Sequence, residues 1–217
     1  MQHSERLVLF DVDGVVVLPG TRDALSAQPW NAHLQTDLGI DPDWLSAHLF
    51  APAADGVPSP FERCALGQAD IVPTLQSILA EIGQAANVEA LLACWFERDA
   101  YVDPQVLAAV GALRAHGYRC CLATSQEKRR AHHLWETLAL RESFDQMYCT
   151  ADLSLSKKQP EFFRAVSAAE RCADPLYFDD RLDVVRCAAV AGWRAVHYTS
   201  VASVRDHPDL VDCFAAA

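Results

Sequence analysis

Apolar residues in this chain follow two different rhythms. Five short runs carry little or no polar alternation: RLVLF (6–10), YRCCLA (118–123), QMYC (146–149), LYF (176–178) and AVHY (195–198). Strands buried on both faces read this way, as in a parallel sheet covered by helices. Between the later runs, apolar residues recur at helical spacing. Over 103–116, Asp103 can cap a helix and Pro104 fits its first turn, while Val106, Val110 and Leu113 share a face and Gly117 ends it. Comparable patterns predict helices over 126–139, over 160–171 after Pro160, and over 181–191 before Gly192. This alternation predicts an α/β fold, a Rossmann-like doubly wound parallel sheet.

Residues 19–98 keep the helical rhythm alone. PWNAHLQTDLGI, PDWLSAHLF, DIVPTLQSILAEIG and VEALLACWFERD read as consecutive helices with no strand between them, and APAADGVPSP (51–60) reads as a turn or loop. The expected organisation is a Rossmann-like core of residues 1–18 and 99–217, interrupted after its first strand by an all-helical domain of residues 19–98.

Composition narrows the function classes. With 217 residues, 51% hydrophobic and 22% charged, the chain can bury a substantial core. A net charge of −11 argues against a nucleic-acid partner, whose phosphates call for Lys and Arg. A small phosphorylated partner is compatible, because a metal and a few placed cations overrule the overall field locally. The opening MQHSERLVLF has charged residues before its short apolar run and Asp11 after it, a poor match to a signal peptide or membrane span. The eight cysteines show no CxxC spacing and sit mostly in apolar stretches, as reduced thiols do. The expectation is a cytoplasmic protein, monomer or homodimer, with no membrane partner.

Polar residues gather where the expected strands end, which is where open parallel sheets bind ligands. Asp11 and Asp13 follow the first run, and Thr124 and Ser125 the second. Lys157 and Lys158 lie beyond the third, and Asp179 and Asp180 close the fourth with Asp183 nearby. Two carboxylates as close as Asp11 and Asp13 raise each other's cost of ionising unless a cation or proton shares the site. Phosphoryl transfer wants this set: a carboxylate nucleophile, a second acid to manage the leaving group's proton, oxygen ligands for Mg²⁺, and a lysine and a hydroxyl on the phosphoryl oxygens.

In order and spacing these motifs resemble the haloacid dehalogenase superfamily, specifically its phosphatases with a small helical cap inserted after the first motif. FDVDGV is similar to that family's D-x-D-G-[TV], which makes Asp11 the nucleophile and Asp13 the general acid/base, with the Asp13 backbone carbonyl a metal ligand. YRCCLATSQ resembles the second motif and puts Thr124 on the phosphoryl group, although Ser125 stands where Asn is common. SKKQPEFF resembles K-P-x-P-x-x-F. Aligning Pro160 and Phe163 selects Lys157, and Lys158 replaces the usual proline. LYFDDRLDVVRCAAVAGW is similar to the fourth motif, which makes Asp180 the direct Mg²⁺ ligand, Asp179 a ligand or a partner behind the ligands, and Asp183 a capping or orienting group.

The resemblance implies a Mg²⁺-dependent phosphatase that acts on a sugar phosphate or nucleotide through an aspartyl-phosphate, similar to bacterial sugar-phosphate phosphatases. The superfamily's dehalogenases lack the second aspartate. A phosphomutase of the β-phosphoglucomutase type, or a non-catalytic binding protein on the same fold, stays open as an alternative. Arg63, Arg98, Trp30 and His33 are candidate contacts from the inserted segment, and the basic KRR at 128–130 is expected to be a solvated helix face.

Overall fold

The computed structural model describes residues 6–52 and 57–215. The apolar runs form strands. Leu7–Phe10 is β1, Arg119–Thr124 β6, Gln146–Cys149 β7, Leu176–Asp179 β8 and Arg194–His197 β9. They make one five-stranded sheet in the order β7-β6-β1-β8-β9, with every pair parallel. From β1 the chain winds outward through β6 and β7, then crosses back to β8 and β9. The switch point therefore lies beside β1, at the carboxyl ends of β1, β6 and β8.

The central strands β1, β6 and β8 are buried on both faces and so need almost no polar positions, while the edge strands β7 and β9 expose Gln146, Arg194 and His197. Val8, Phe10, Cys120, Leu122 and Phe178 point to one face and pack on Val106, Val110 and Leu113 of α6 (Pro104–Ala115). The same face meets the turn at 133–137 that follows α7 (Lys128–His132) and reaches Val204 of α11 (Ala202–Arg205). The alternate residues, Leu7, Leu9, Cys121, Ala123 and Tyr177, pack on Phe162, Phe163 and Val166 of α9 (Pro160–Glu170) and on Val184 and Ala188 of α10 (Leu182–Val190). Phe10 occupies the centre, paired with Leu122 and Phe178 in the ladders. Its ring stacks on Phe178 at 5.5 Å and meets the edge of Phe144 at 6.0 Å.

The segment after β1 leaves and returns as a pair. β2 (Val17–Leu18) runs antiparallel to β5 (Tyr101–Val102), and the Ala100 N–H donates to the Gly20 carbonyl at 2.8 Å. Between them lie α1 (Leu34–Leu38), α2 (Pro42–Leu49), α3 (Pro60–Ala65), α4 (Ile71–Ala80) and α5 (Val88–Arg98). These helices bury an apolar core of their own, which includes Leu34, Leu45, Leu75, Leu92 and Trp95. Three have proline at the first turn or an aspartate or serine cap, as at Asp41, Ser59 and Asp70, which accounts for their starts.

Residues 19–98 are not wholly helical, contrary to the sequence expectation. β3 (Gly20–Thr21) and β4 (Ala24–Leu25) form a small hairpin around Arg22 and Asp23. Strands of two residues are too short to impose a period-two pattern. Of the expected loop 51–60, residues 53–56 lie outside the described residues, and Pro60 already begins α3. The expected helix over 126–139 is short α7 followed by a wider π-type turn over His133–Thr137.

The helical segment also touches the sheet domain near β7. The Thr150 hydroxyl at the start of α8 (Thr150–Leu153) donates to the Ala65 carbonyl at 2.6 Å. A Cβ on Gly67 would stand 2.4 Å from the Ala151 carbonyl oxygen, so only glycine allows that approach. Among the described residues, no helix is long and apolar enough to cross a membrane. Truncating the central ring, Phe10→Ala, is expected to cost about 3–5 kcal/mol of stability, as urea unfolding would measure.

Candidate active site

Three strand ends and the loop ahead of α9 deliver the polar residues to one edge of the sheet. Asp11 follows the last residue of β1, and its N–H donates to the Phe178 carbonyl at 2.9 Å, extending the ladder one step beyond the strand. That bond points the side chain out of the sheet's carboxyl edge. Asp11 is 7% exposed, and its Oδ1 accepts from the Val12 N–H at 2.8 Å. Lys157, from the loop ahead of α9, is 3% exposed. Its Nζ lies 2.8 Å from Asp11 Oδ1 and 2.8 Å from Asp179 Oδ2.

Asp179, the last residue of β8, is fully buried and fully engaged. Besides Lys157, Oδ2 accepts from the Tyr177 hydroxyl, and Oδ1 accepts from the Arg181 N–H at 2.8 Å. Asp180 is exposed and completes a group in which one carboxylate oxygen from each of Asp11, Asp179 and Asp180 lies within 4.8 Å of the others. Three carboxylates face one ammonium. Such a cluster is short of positive charge, and hard oxygen donors suit a divalent cation of the magnesium type.

The titration behaviour expresses the same shortage. Burial pushes the Asp11 carboxyl up to about 7, with Lys157 opposing and Asp179 and Asp13 adding to the rise. Partial desolvation also raises the carboxyl of Asp180, exposed though the residue is, and its neighbour Asp179 reinforces the rise. Burial works against the Lys157 charge, but Asp11 and Asp179 outweigh it and hold that ammonium above its ordinary value.

Gly14 makes the cluster possible. Its φ is +79°, and a Cβ there would stand 2.6 Å from Asp180 Oδ2. A side chain at position 14 would displace that carboxylate and force the backbone into a disfavoured region. The glycine of the DxDG motif is thus a matter of space as well as turn geometry.

Asp13 sits apart from the three-carboxylate group. Its side chain is about half exposed, at 53%, and Oδ2 accepts from the Gln126 side-chain amide. Gln126, itself buried, also reaches Thr124 Oγ1 at 3.4 Å. Thr124 is buried at the end of β6, and Ser125 beside it is exposed.

Lys157 is the lysine brought to the aspartates. Lys158 is exposed and pairs instead with Glu62 of α3 at 2.6 Å. Asp183, in the first turn of α10, pairs with Arg181 at 2.7 Å. The suggested contacts from the inserted segment do not reach this place. Trp30, His33 and Arg98 line a separate cleft of about 320 Å³ beside Gly20 and Leu25, Arg98 pairs with Asp37, and Arg63 is exposed.

Of the KRR sequence, Lys128 and Arg129 are exposed as expected, but Arg130 is 1% exposed. Its guanidinium donates to the Asp99 carbonyl, lies 3.2 Å from Asp99 Oδ2 and 4.0 Å from Asp13 Oδ1, and packs over the Phe96 ring at 5.5 Å. Glu127 caps α7 by accepting from the Arg129 and Arg130 N–H groups. Sequence reasoning missed Gln126, Arg130 and Tyr177. Gln126 carried a signal, standing two residues beyond Thr124. The partner of Arg130 lies 31 residues away, and Tyr177 reads as one more apolar strand residue.

A family model described as haloacid dehalogenase-like hydrolase matches residues 5–192. No curated protein matches the chain. Among solved structures, the HAD family enzyme bt-2542 from Bacteroides thetaiotaomicron, in complex with magnesium and inorganic phosphate, superposes with a TM-score of 0.69 at 14% identity, covering 90% of this chain and 94% of that one. A predicted HAD-like family hydrolase from Porphyromonas gingivalis gives 0.70 at 14% identity, covering 99% and 100%. A 2-haloacid dehalogenase from Pseudomonas syringae pv. Tomato DC3000 gives 0.56 at 19% identity, covering 89% and 86%. At these identities the likeness is one of fold.

Two outcomes follow from the burial of these charges. Arg130→Met leaves Asp99 without its cation and is expected to destabilise the protein by about 3 kcal/mol, read by thermal or urea unfolding. For Asp11, the folded carboxyl titrates near 7 and the ordinary one at 3.8. The native state therefore holds the extra proton, and this group's contribution to stability is greatest below the lower value and is lost as pH rises through the higher one. Without divalent cations, Asp11→Asn should flatten the fall in stability between those two pH values, and magnesium should flatten it in the unsubstituted protein.

Proposed function

Since the chain belongs to the haloacid dehalogenase-like hydrolases, we propose that this hydrolase is a magnesium-dependent phosphatase of small phosphate monoesters. One observation carries the choice of phosphatase over dehalogenase. A second carboxyl, Asp13, stands beside the buried Asp11 while remaining outside the three-carboxylate group, half exposed and held by Gln126. Halide leaves carbon without needing a proton, whereas an alkoxide leaving phosphorus is helped by one. A second carboxyl next to the nucleophile, outside the three-carboxylate group, answers only the second need.

The residues divide the work. Asp11 attacks phosphorus through its free oxygen, forming an aspartyl-phosphate as the ester oxygen departs. Lys157 holds Asp11 in place and offers positive charge to the phosphoryl oxygens, while Asp179, saturated by Lys157, Tyr177 and the Arg181 N–H, keeps that lysine oriented. The Thr124 hydroxyl hydrogen-bonds a phosphoryl oxygen. Asp13 donates the proton to the leaving oxygen, then takes one from the water that hydrolyses the acyl-phosphate. Asp11 and Asp180, with the Asp13 carbonyl, would hold Mg²⁺. When bound, that ion relieves the repulsion among the carboxylates and neutralises charge on the transferring group. The helical segment between β2 and β5 acts as a cap domain, approximately residues 19–98, that shields the site from water.

Magnesium and phosphate in the bt-2542 structure, and the matching fold, support this reading. The decisive assay is release of inorganic phosphate from a panel of monoesters. Activity should require Mg²⁺, disappear with a chelator and fall to background in Asp11→Asn. Asp13→Asn should lose on the order of 10²–10⁴-fold in kcat with the phosphate monoesters. Free phosphate as the main product, with no isomerised ester, separates hydrolysis from mutase chemistry.

A further inference from the structure

The cavity beside the site has two unlike walls. It measures about 570 Å³, the size of a small-ligand pocket, and it reaches Lys157 and Ser125. The wall from the sheet domain is largely polar, with Thr150, Ser156, Gln159 and Arg181 around those two. Among the described residues, the wall from the helical segment is apolar apart from Glu62: Phe50, Pro52, Val57, Pro58, Phe61 and Leu66. This second wall is backed by packed rings, with Phe50 and Phe61 5.0 Å apart and Trp95 at 5.8 Å from Phe61.

The cations around the cavity are committed. Lys157 serves Asp11 and Asp179. Lys158 is held at 2.6 Å by Glu62, the charged residue among those described on this wall, whose other oxygen takes the Ser59 N–H at 3.1 Å. Arg181 pairs with Asp183 at 2.7 Å. A second phosphate or a carboxylate on the substrate would have to compete with Glu62 or Asp183 for its cation. Sugar hydroxyls laid against the Phe50–Phe61 wall would lose water without gaining partners.

We propose that the substrate carries one phosphate on an apolar, uncharged leaving group, aromatic or branched, which lies on the Phe50–Phe61 wall while the phosphate sits at the polar one. This rests on the phosphatase reading for its chemistry and on the cavity for its specificity. It departs from the sugar phosphate or nucleotide that the sequence resemblance implies.

The test uses the full chain with Mg²⁺ and alkyl esters of comparable intrinsic reactivity, so that leaving-group chemistry does not imitate recognition. Benzyl phosphate is expected to exceed glucose 6-phosphate in kcat/KM by about tenfold or more, and propanediol bisphosphate to be the poorest. Val57→Ser, at a residue half exposed on the apolar wall, should lower the benzyl-to-glucose ratio about fivefold. Calorimetric binding of benzylphosphonate against hydroxyethylphosphonate gives a readout that needs no turnover. Preference for the benzyl compound with no phosphate release from any ester upholds the apolar pocket and defeats the phosphatase reading. Phosphate release with no benzyl preference, or an unchanged ratio in Val57→Ser, overturns the proposal and leaves the phosphatase reading standing.

Discussion

The site is organised around the ammonium of Lys157, shared at 2.8 Å by Asp11 and Asp179 and almost wholly removed from water. A lysine buried to that degree is tolerable only with carboxylate partners, and two carboxylates this close are tolerable only with a cation between them. Each charge is therefore the condition of the others. The Tyr177 hydroxyl and the Arg181 N–H, which complete the shell of Asp179, keep the ammonium from drifting toward either partner. Asp11 is left with one oxygen free of protein donors among the described residues, in a cluster that remains negative once Lys157 is counted.

That residual negative charge links the fold to the chemistry. β1 and β8 are adjacent and parallel, so their last residues bring Asp11 and the Asp179–Asp180 pair together without any special loop. The Gly14 turn then leaves room for the Asp180 carboxylate. The strand ends that carry these aspartates are anchored in the core by Phe10 and Phe178, both fully buried.

The second organising charge is Arg130. It lies against Asp99, where the chain comes back from the helical segment, and within 4.0 Å of Asp13. One buried guanidinium thus touches both the junction of the inserted segment and the carboxyl assigned to proton transfer. The Glu62–Lys158 pair and the Thr150–Ala65 hydrogen bond tie the two parts together again on the other side of the cleft.

Much of this is legible in the sequence, and for a physical reason. Strands buried on both faces must be apolar throughout, so the five runs mark the sheet with boundaries that differ from the observed ones by a residue or so. Residues following those runs must then lie at one edge, which is why Asp11, Thr124, Lys157, Asp179 and Asp180 can be gathered from their positions along the chain alone. The choice of Lys157 over Lys158 is what the resemblance to K-P-x-P-x-x-F implies through Pro160 and Phe163, and in the structure it is Lys157 that meets Asp11 and Asp179. Local patterns do not reveal pairings between distant segments. Tertiary structure alone decides that Arg130 is buried against Asp99, that Lys158 joins Glu62, that Trp30, His33 and Arg98 line a separate cleft, and that one wall of the cavity is apolar. The sequence determines which residues a strand or helix must bury. Which charge meets which, across tens of residues of chain, depends on how those elements pack.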